Sequence, residues 1–319
     1  MIPITDYAMD TLCEKLGIFK EGLTYLAGGR EDSDGTIYTY DEKGKKKVLK
    51  ILAIPAAEVE KIHNLDVRIQ YAHYLAENGI RLAHPLVNRN DRLYETVLDH
   101  QYLFAAYSMD FYNGESPASN ELTDQLVTSW GKLTGKSHAI TKSFPLHADT
   151  KSFHYKSEID FFMDWCKEPE IKKAWADMKQ YLHSKNTDTD SFGFIHNDNH
   201  QRNILAVGNC LTLIDFDCAG LQFFMQDITT PAQGLMFDIT GGMCSECKDP
   251  DKLKHFFDTF ISAYESKNHL DDSWYKEIGT FLNYRRMLLF TCMQDWLQRK
   301  PDLKKGFMEN ILNPKPFYL

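Results

Sequence analysis

Residues 194–217, FIHNDNHQRNILAVGNCLTLIDFD, set polar side chains at short intervals inside an apolar frame. His196, Asp198 and His200 alternate, Asn203 follows, and Asp215 and Asp217 come just after the run LTLI. On an extended strand alternate side chains share a face, so His-x-Asp-x-His would present two imidazoles and a carboxylate, a set that suits zinc or iron. No fourth ligand is evident nearby. A plainer alternative has Asp198 and Asn203 capping turns and Asp215 as a satisfied buried acid. It explains each residue separately but not their joint spacing.

Taken whole, the spacing points to phosphoryl transfer. His196-x-Asp198-x4-Asn203 matches the kinase catalytic-loop pattern H-x-D-x-x-x-x-N. Asp215-Phe216, twelve residues after Asn203, stands where protein kinases carry the metal-binding Asp of Asp-Phe-Gly. The chemistry accounts for the order. One carboxylate accepts the proton of the attacking hydroxyl, an amide oxygen then reaches Mg²⁺, and a hairpin later a second carboxylate completes the metal site.

Such residues need a scaffold, and 319 residues suffice for one large domain or two lobes. Hydrophobic residues make up 43% and charged residues 25%, ordinary for a soluble globular protein. The formal charge of -9, from 36 basic and 45 acidic residues, argues against a nucleic-acid partner and is compatible with a cationic small substrate. No secretory signal and no run of about 18 apolar residues is present, so neither export nor membrane insertion is expected. Seven scattered cysteines fit a reduced, cytoplasmic protein. Cys244 and Cys247 form a lone CxxC without a second pair to complete a zinc site.

The first hundred residues read as strands around one helix. TIYTY (36–40) and KVLKILAI (47–54) flank the polar, Gly-containing turn DEKGKK, and 92–98 with 101–107 make a second hairpin. Between them, apolar residues recur at helical spacing from Ala57 to Asn78, with Gly79 at the helix end. After NGESPASN helical patterns dominate, over 121–141, 157–183, 251–267 and 272–299. We therefore expect an α+β protein with a small antiparallel-sheet lobe (1–107), a connector (108–113) and a larger, mainly helical lobe (114–319).

HNDNHQRNIL and LIDFD together resemble the signature of the aminoglycoside phosphotransferase and choline kinase-like family, roughly H-G-D-x-H-x-x-N followed by I-D-F-[DE]. Asn197 stands where that family usually has glycine, and Asn199 at a commonly apolar position. The resemblance implies a bilobal, protein-kinase-like fold. It implies Asp198 as catalytic base, His196 and His200 ordering the loop, and Asn203, Asp215 and the less certain Asp217 as Mg²⁺ ligands. It also implies that Asp227 braces this region, and that His138 is structural.

The first lobe was read against the same resemblance. Lys50 shares a strand face with Val48 and Leu52, which is costly unless the ammonium lines a cleft; it becomes the expected phosphate-binding lysine, with Val48 against the adenine. Lys47 competes but falls at the strand start. Gly28, Gly29 and Gly35 supply a degenerate nucleotide-covering loop whose acids, Glu31, Asp32 and Asp34, are expected to face solvent. The helix glutamate that should pair with Lys50 is displaced, since Arg68 occupies its usual position. Asp66, Glu58 and Glu60 are the substitutes, Glu60 favoured.

The expected activity is transfer of the γ-phosphate of ATP, or of GTP, with Mg²⁺, to the hydroxyl of a small acceptor. An amine-bearing, aminoglycoside-type acceptor is favoured, on the acidic charge and on Asp271, Asp272, Trp274, Tyr284, Asp295 and Trp296 as candidate acceptor wall. Arg285 and Arg286 weigh the other way, toward an anionic or zwitterionic acceptor. Choline or ethanolamine, homoserine, sugars and macrolides remain alternatives, as does a nucleotide-binding scaffold without turnover.

Overall fold

The computed structural model describes residues 3–28, 35–59, 61–146, 153–236, 249–315 and 317. The chain forms two units: Met1–Asn113 together with Ile214–Asp217, and Gly114–Leu213 with Cys218–Leu319.

The first unit opens with a helix the sequence reading passed over, α1 (Asp6–Leu16). Thr5 caps it, its hydroxyl accepting from the Ala8 N–H at 3.1 Å, and Gly17 ends it at φ 75°. A five-stranded antiparallel sheet follows, built of β1 (Thr24–Gly28), β2 (Thr36–Glu42), β3 (Lys45–Pro55), β4 (Glu95–Asp99) and β5 (Tyr102–Asp110) in the order β1-β2-β3-β5-β4. The β2–β3 turn is Lys43-Gly44, with φ 54° and 76° and Glu42 opposite Lys45. Two left-handed residues at a two-residue turn match the twist of the strands.

Period-two alternation along β3 divides its side chains between two cores. Leu49 and Ile51 join Leu12 and Leu16 of α1 on one face. Leu52 lies on the other face with Ala105, Tyr107, and Leu65 and Ile69 of α2 (Lys61–Glu77). Helix α2 begins later than its apolar period suggests, because a 3-10 turn occupies Ala56–Glu58. Two boundaries differ from expectation. Residues 108–110 are strand rather than connector, since Lys47 pairs with Asp110 and Leu49 with Ser108. Ile214–Asp217 belong to the first unit, not to the helical one.

In the second unit α3 (Asp124–Thr141) is followed by α4 (Tyr155–Trp165) and α5 (Pro169–His183). The expected single helix over 157–183 is broken because Pro169 has no N–H to continue the ladder and holds Glu168 extended, at ψ 117°. Short strands β6 (Phe192–Ile195), β7 (Ile204–Val207), β8 (Cys210–Leu213) and β9 (Gly220–Phe223) then form the pairs β6–β9 and β7–β8. Helices α6 (Phe224–Thr229), α7 (Gln233–Met236), α8 (Pro250–Glu265), α9 (Asp272–Tyr275), α10 (Ile278–Leu297) and α11 (Pro301–Leu312) complete it. The expected helix over 272–299 is thus split into α9 and α10. Cys244 and Cys247 lie outside the described residues. Among the described residues no helix is long and apolar enough to cross a membrane.

Helices α3 and α8 approach until backbone meets backbone. A Cβ on Gly135 would lie 2.6 Å from the Tyr264 carbonyl oxygen, and one on Gly131 would strike the Phe260 carbonyl. Overpacking of this kind costs typically 1–3 kcal/mol. Gly135→Ala should therefore lower stability by about 2 kcal/mol, read as a shifted midpoint in chemical denaturation, whereas Gly306→Ala, where nothing lies within 4 Å, should not.

Candidate active site

The loop between β6 and β7 is held by its backbone. The Asp227 carboxylate, buried in the first turn of α6, accepts from the N–H of His196 at 3.0 Å and of Asn197 at 2.8 Å. His138 of α3 meets the same carboxylate through Nε2 at 3.3 Å, while its Nδ1 lies 2.9 Å from the Tyr264 hydroxyl of α8. Asn199, expected where an apolar residue is common, is buried and bonded throughout. Its Oδ1 accepts from the Trp130 indole at 2.8 Å, and its Nδ2 donates to Thr134 Oγ1 at 3.0 Å and to the Asp227 carbonyl at 3.3 Å.

Asn197 has φ 66°. That left-handed conformation is why glycine is usual in the motif, and asparagine is among the side chains that tolerate it best. The Asn197 side chain donates to Glu158 of α4 and, at 3.2 Å, to the Cys218 carbonyl; Glu158 also accepts from the buried Tyr284 hydroxyl of α10.

Asp198 follows. Its Oδ1 accepts from Arg285 of α10 at 2.5 Å, and its Oδ2 from Asn203 Nδ2 at 3.0 Å, with His200 Nε2 3.4 Å away. The Arg202 N–H donates to His200 Nδ1 at 3.1 Å, which fixes the tautomer with the proton on Nε2, facing Asp198. Burial pushes the Asp198 carboxyl up, but the Arg285 guanidinium and His200 outweigh it and hold it well below the usual carboxylate range. Arg285 is itself buried and donates from Nε to Gln233 Oε1 at 2.6 Å. His196 is buried; its Nδ1 lies 3.4 Å from the Asp198 N–H, a contact within the loop.

The remaining expected residues lie in the first unit. Lys50 on β3 is buried and ion-paired with Asp217, and with Asp215 at 3.3 Å. Burial alone would lower its pKa; Tyr107 and the two carboxylates reverse that and raise it well above the ordinary lysine value. Among the described residues the acids paired with Lys50 are these two aspartates. Glu58 pairs with Lys61, Asp66 accepts from Gln70 at 2.8 Å, and Glu60 lies outside the described residues. Phe216 packs edge-on to Tyr71 of α2, ring centroids 6.1 Å apart, and Asp215 has φ 62°. Val48 shares the Lys50 face and pairs with Met109. Gly28 ends β1 at φ 84°, where a Cβ would collide with the Gly35 carbonyl, and a Cβ on Gly35 would lie 3.4 Å from Lys50 Cε. Gly29 and the loop acids Glu31, Asp32 and Asp34 lie outside the described residues. Lys47, the competing lysine, is committed to Asp110 at 2.6 Å.

Asn203 spends its Nδ2 twice on Asp198, at 2.9 Å to the carbonyl and 3.0 Å to Oδ2, which leaves Oδ1 as its acceptor. An amide oxygen such as that of Asn203, and carboxylates such as those of Asp215 and Asp217, are by type the ligands a hard divalent cation takes, so these residues fit Mg²⁺ in kind. The residues expected to wall the acceptor do not gather. Trp274 packs on Phe223, Asp271 caps α9 through the Ser273 N–H, Asp295 pairs with Lys167, Trp296 lies under the Lys300 ammonium, and Tyr284 is wholly buried. Arg285 is the residue sequence reasoning misplaced. A cation amid Phe281, Leu282, Leu288 and Leu289 on a long apolar helix needs a buried carboxylate partner, and that was the available signal.

Comparison with known proteins gives this arrangement a context. The model of the phosphotransferase enzyme family matches residues 23–243. Amicoumacin kinase of Bacillus subtilis (strain 168) is 23% identical over 316 residues, spanning 95% of this chain and 90% of that one. A solved amicoumacin kinase, in complex with AMP-PNP and Ca²⁺, superposes with a TM-score of 0.78 at 21% identity, over 93% of this chain and 90% of that one. A microcompartment-associated aminopropanol kinase does so with a TM-score of 0.70 at 14% identity, over 97% and 98%. With a bilobal, protein-kinase-like fold and a family match running through both the Lys50 strand and the Asp198 loop, this chain belongs to the phosphotransferase enzyme family and is a kinase.

Proposed function

We propose that the protein transfers the γ-phosphate of ATP to the hydroxyl of a small, amine-bearing acceptor. The observation that carries this reading is the Asp198 carboxylate, kept ionised by Arg285 and oriented by Asn203 and His200. In this reading the second lobe, residues 114–319, supplies the acceptor site, and Asp198 receives the acceptor hydroxyl. Phosphoryl transfer passes through a loose transition state in which little covalent chemistry falls to the protein. A carboxylate of low proton affinity serves as a hydrogen-bond acceptor that aims the hydroxyl, and takes its proton late. His196 acts through the loop rather than on the acceptor.

Lys50 binds the nucleotide phosphates, exchanging part of its pairing with Asp215 and Asp217 for them, and Val48 and the Gly28 and Gly35 backbone border the nucleotide. Asn203, Asp215 and Asp217 would hold Mg²⁺, which supplies charge neutralisation on the phosphates when bound. Support for ATP comes from the relative solved with AMP-PNP and a divalent cation. Support for an amine comes from the charge of -9 and from a neighbour named for aminopropanol.

A Mg-ATP turnover screen over hydroxyl acceptors tests the reading. Amine-bearing alcohols should rank above neutral sugars and macrolides, with the preference shrinking as ionic strength rises. A preference for neutral acceptors that salt leaves untouched would overturn the amine. On the acceptor so found, Asp198→Asn should lower turnover by about 10²- to 10⁴-fold with nucleotide affinity nearly unchanged. Wild-type turnover in that variant would remove Asp198 from the chemistry.

The ion pair has its own pH signature. Because the folded pKa of Asp198 is depressed, its stabilisation is complete above the unfolded value of about 3.9 and is lost as pH falls through the folded value. In Arg285→Met burial is opposed only by His200 and the Asn203 amide. The acid limb of the pH–rate profile should then move to higher pH, and stability at neutral pH should fall by about 3 kcal/mol. An unmoved acid limb in a folded variant would show that Arg285 does not set the charge of Asp198.

A further inference from the structure

Apart from the phosphotransfer residues, the first unit carries a second convergent set of ligand atoms. His73 and Glu77 lie four residues apart on α2 and so on one face. His84 comes from the segment after α2, which is pinned by its backbone: the Asp110 N–H donates to the His84 carbonyl at 3.0 Å, and the Leu86 N–H to the Ser108 carbonyl at 2.9 Å. His84 Nε2 then lies 3.1 Å from His73 Nδ1 and 3.4 Å from Glu77 Oε1, and the three atoms all fall within 4.8 Å of one another.

The two separations at His84 Nε2 are close to those of a metal site. Tetrahedral coordination with bonds of about 2.0–2.1 Å places neighbouring ligand atoms about 3.3–3.4 Å apart. Two imidazole nitrogens facing each other at 3.1 Å can share one proton at most, while a cation satisfies both lone pairs together with the carboxylate. The Pro85 carbonyl oxygen, 2.9 Å from His73 Nδ1, is a fourth donor atom beside the set. On the far side of the ring Asp110 Oδ2 lies 4.0 Å from His84 Nδ1, near the imidazole but beyond hydrogen-bond distance.

We propose that His73 Nδ1, Glu77 Oε1 and His84 Nε2 bind one divalent transition metal of the zinc class. The ion fastens the C-terminal end of α2 to the segment pairing with β5. Mixed imidazole and carboxylate ligation favours Zn²⁺ over Mg²⁺, so the site is chemically distinct from the nucleotide's cation.

The test uses tag-free, full-length protein stripped with chelator, in a Cys244→Ser/Cys247→Ser background and excess Mg²⁺, titrated with ZnCl₂ by calorimetry and with Co²⁺ by visible absorption. One Zn²⁺ per chain is expected, with the d–d bands of a low-coordinate Co²⁺ site. Affinity should fall by about 100-fold or more in His84→Gln and in Glu77→Gln, since loss of even an outer-sphere partner costs about 10- to 100-fold. His100→Gln, exposed and remote in sequence, should bind as the parent does. If His84→Gln is misfolded by circular dichroism, Glu77→Gln, which keeps side-chain size, decides the matter alone. No binding by the parent, or equal binding by parent and folded ligand variants, would overturn the site. The proton-sharing pair His73–His84, with His73 donating to Pro85, would then be the whole of its chemistry.

Discussion

The Asp227 carboxylate receiving two consecutive backbone N–H groups is the interaction on which the Asp198 loop depends. A buried carboxylate is costly unless its lone pairs are filled, and here the His196 and Asn197 N–H groups and the His138 ring fill them. Because the acceptor grips backbone rather than side chains, it sets where the chain turns and leaves the side chain of Asp198 to its own partners. The constraint runs outward through His138 to Tyr264, and so to the contact where Gly131 and Gly135 let α3 lie against α8. Backbone contact at those glycines fixes the separation of the two helices, and through it the place of the His138 ring. A glycine pair and the Asp198 loop are thereby joined by one chain of hard contacts and hydrogen bonds.

Backbone conformation adds a second constraint. Asn197, just ahead of Asp198, and Asp215, just past β8, both hold positive φ without being glycine. Each sits in a sparsely populated region, at a cost on the order of 1 kcal/mol that surrounding contacts must offset. At Asn197 the offset is visible in the side-chain bonds to Glu158 and the Cys218 carbonyl, and Glu158 is in turn tied to Tyr284 of α10. Asparagine thus does more than tolerate a glycine position. It connects the loop to α4 and α10, a connection glycine cannot make.

Much of this was legible in the sequence, for definable reasons. The loop residues and Asp215 were readable because the chemistry fixes residue type and spacing together, and the β2–β3 turn because Lys43-Gly44 sits between alternating strands. Helix α1 was overlooked although Thr5, Gly17 and the apolar positions Ala8, Leu12 and Leu16 announce it. Attention to the strands that follow outweighed a short period. The break at Pro169 was legible in the residue type, since proline cannot continue a helix from the turn before it. The partner of Lys50 was not legible, since an acid on a helix and an acid after a strand satisfy the same ammonium, and only tertiary structure chooses. The partners of the residues expected to wall the acceptor were not legible either. Aromatic and acidic residues on one helix were read as a surface, whereas α10 buries Tyr284 and Arg285 and spends Asp295 on Lys167.

Each unit sets a buried cation against the acids of its site residues. Lys50 answers Asp215 and Asp217, and Arg285 answers Asp198. The two cations differ in a way that matters under the proposed function. Lysine is a flexible point charge that can turn from one anion to another, which suits a residue that must leave its aspartates for phosphate. Arginine presents a planar fork, and here Nε is fixed on Gln233 while the terminal nitrogen meets Asp198. A guanidinium held at two places does not follow an incoming ligand. It makes the ionised carboxylate a permanent feature of the loop, so that the acceptor hydroxyl meets an oriented acceptor rather than a strong base. For a reaction whose transition state asks the protein for position more than for proton affinity, that fixity is the useful property.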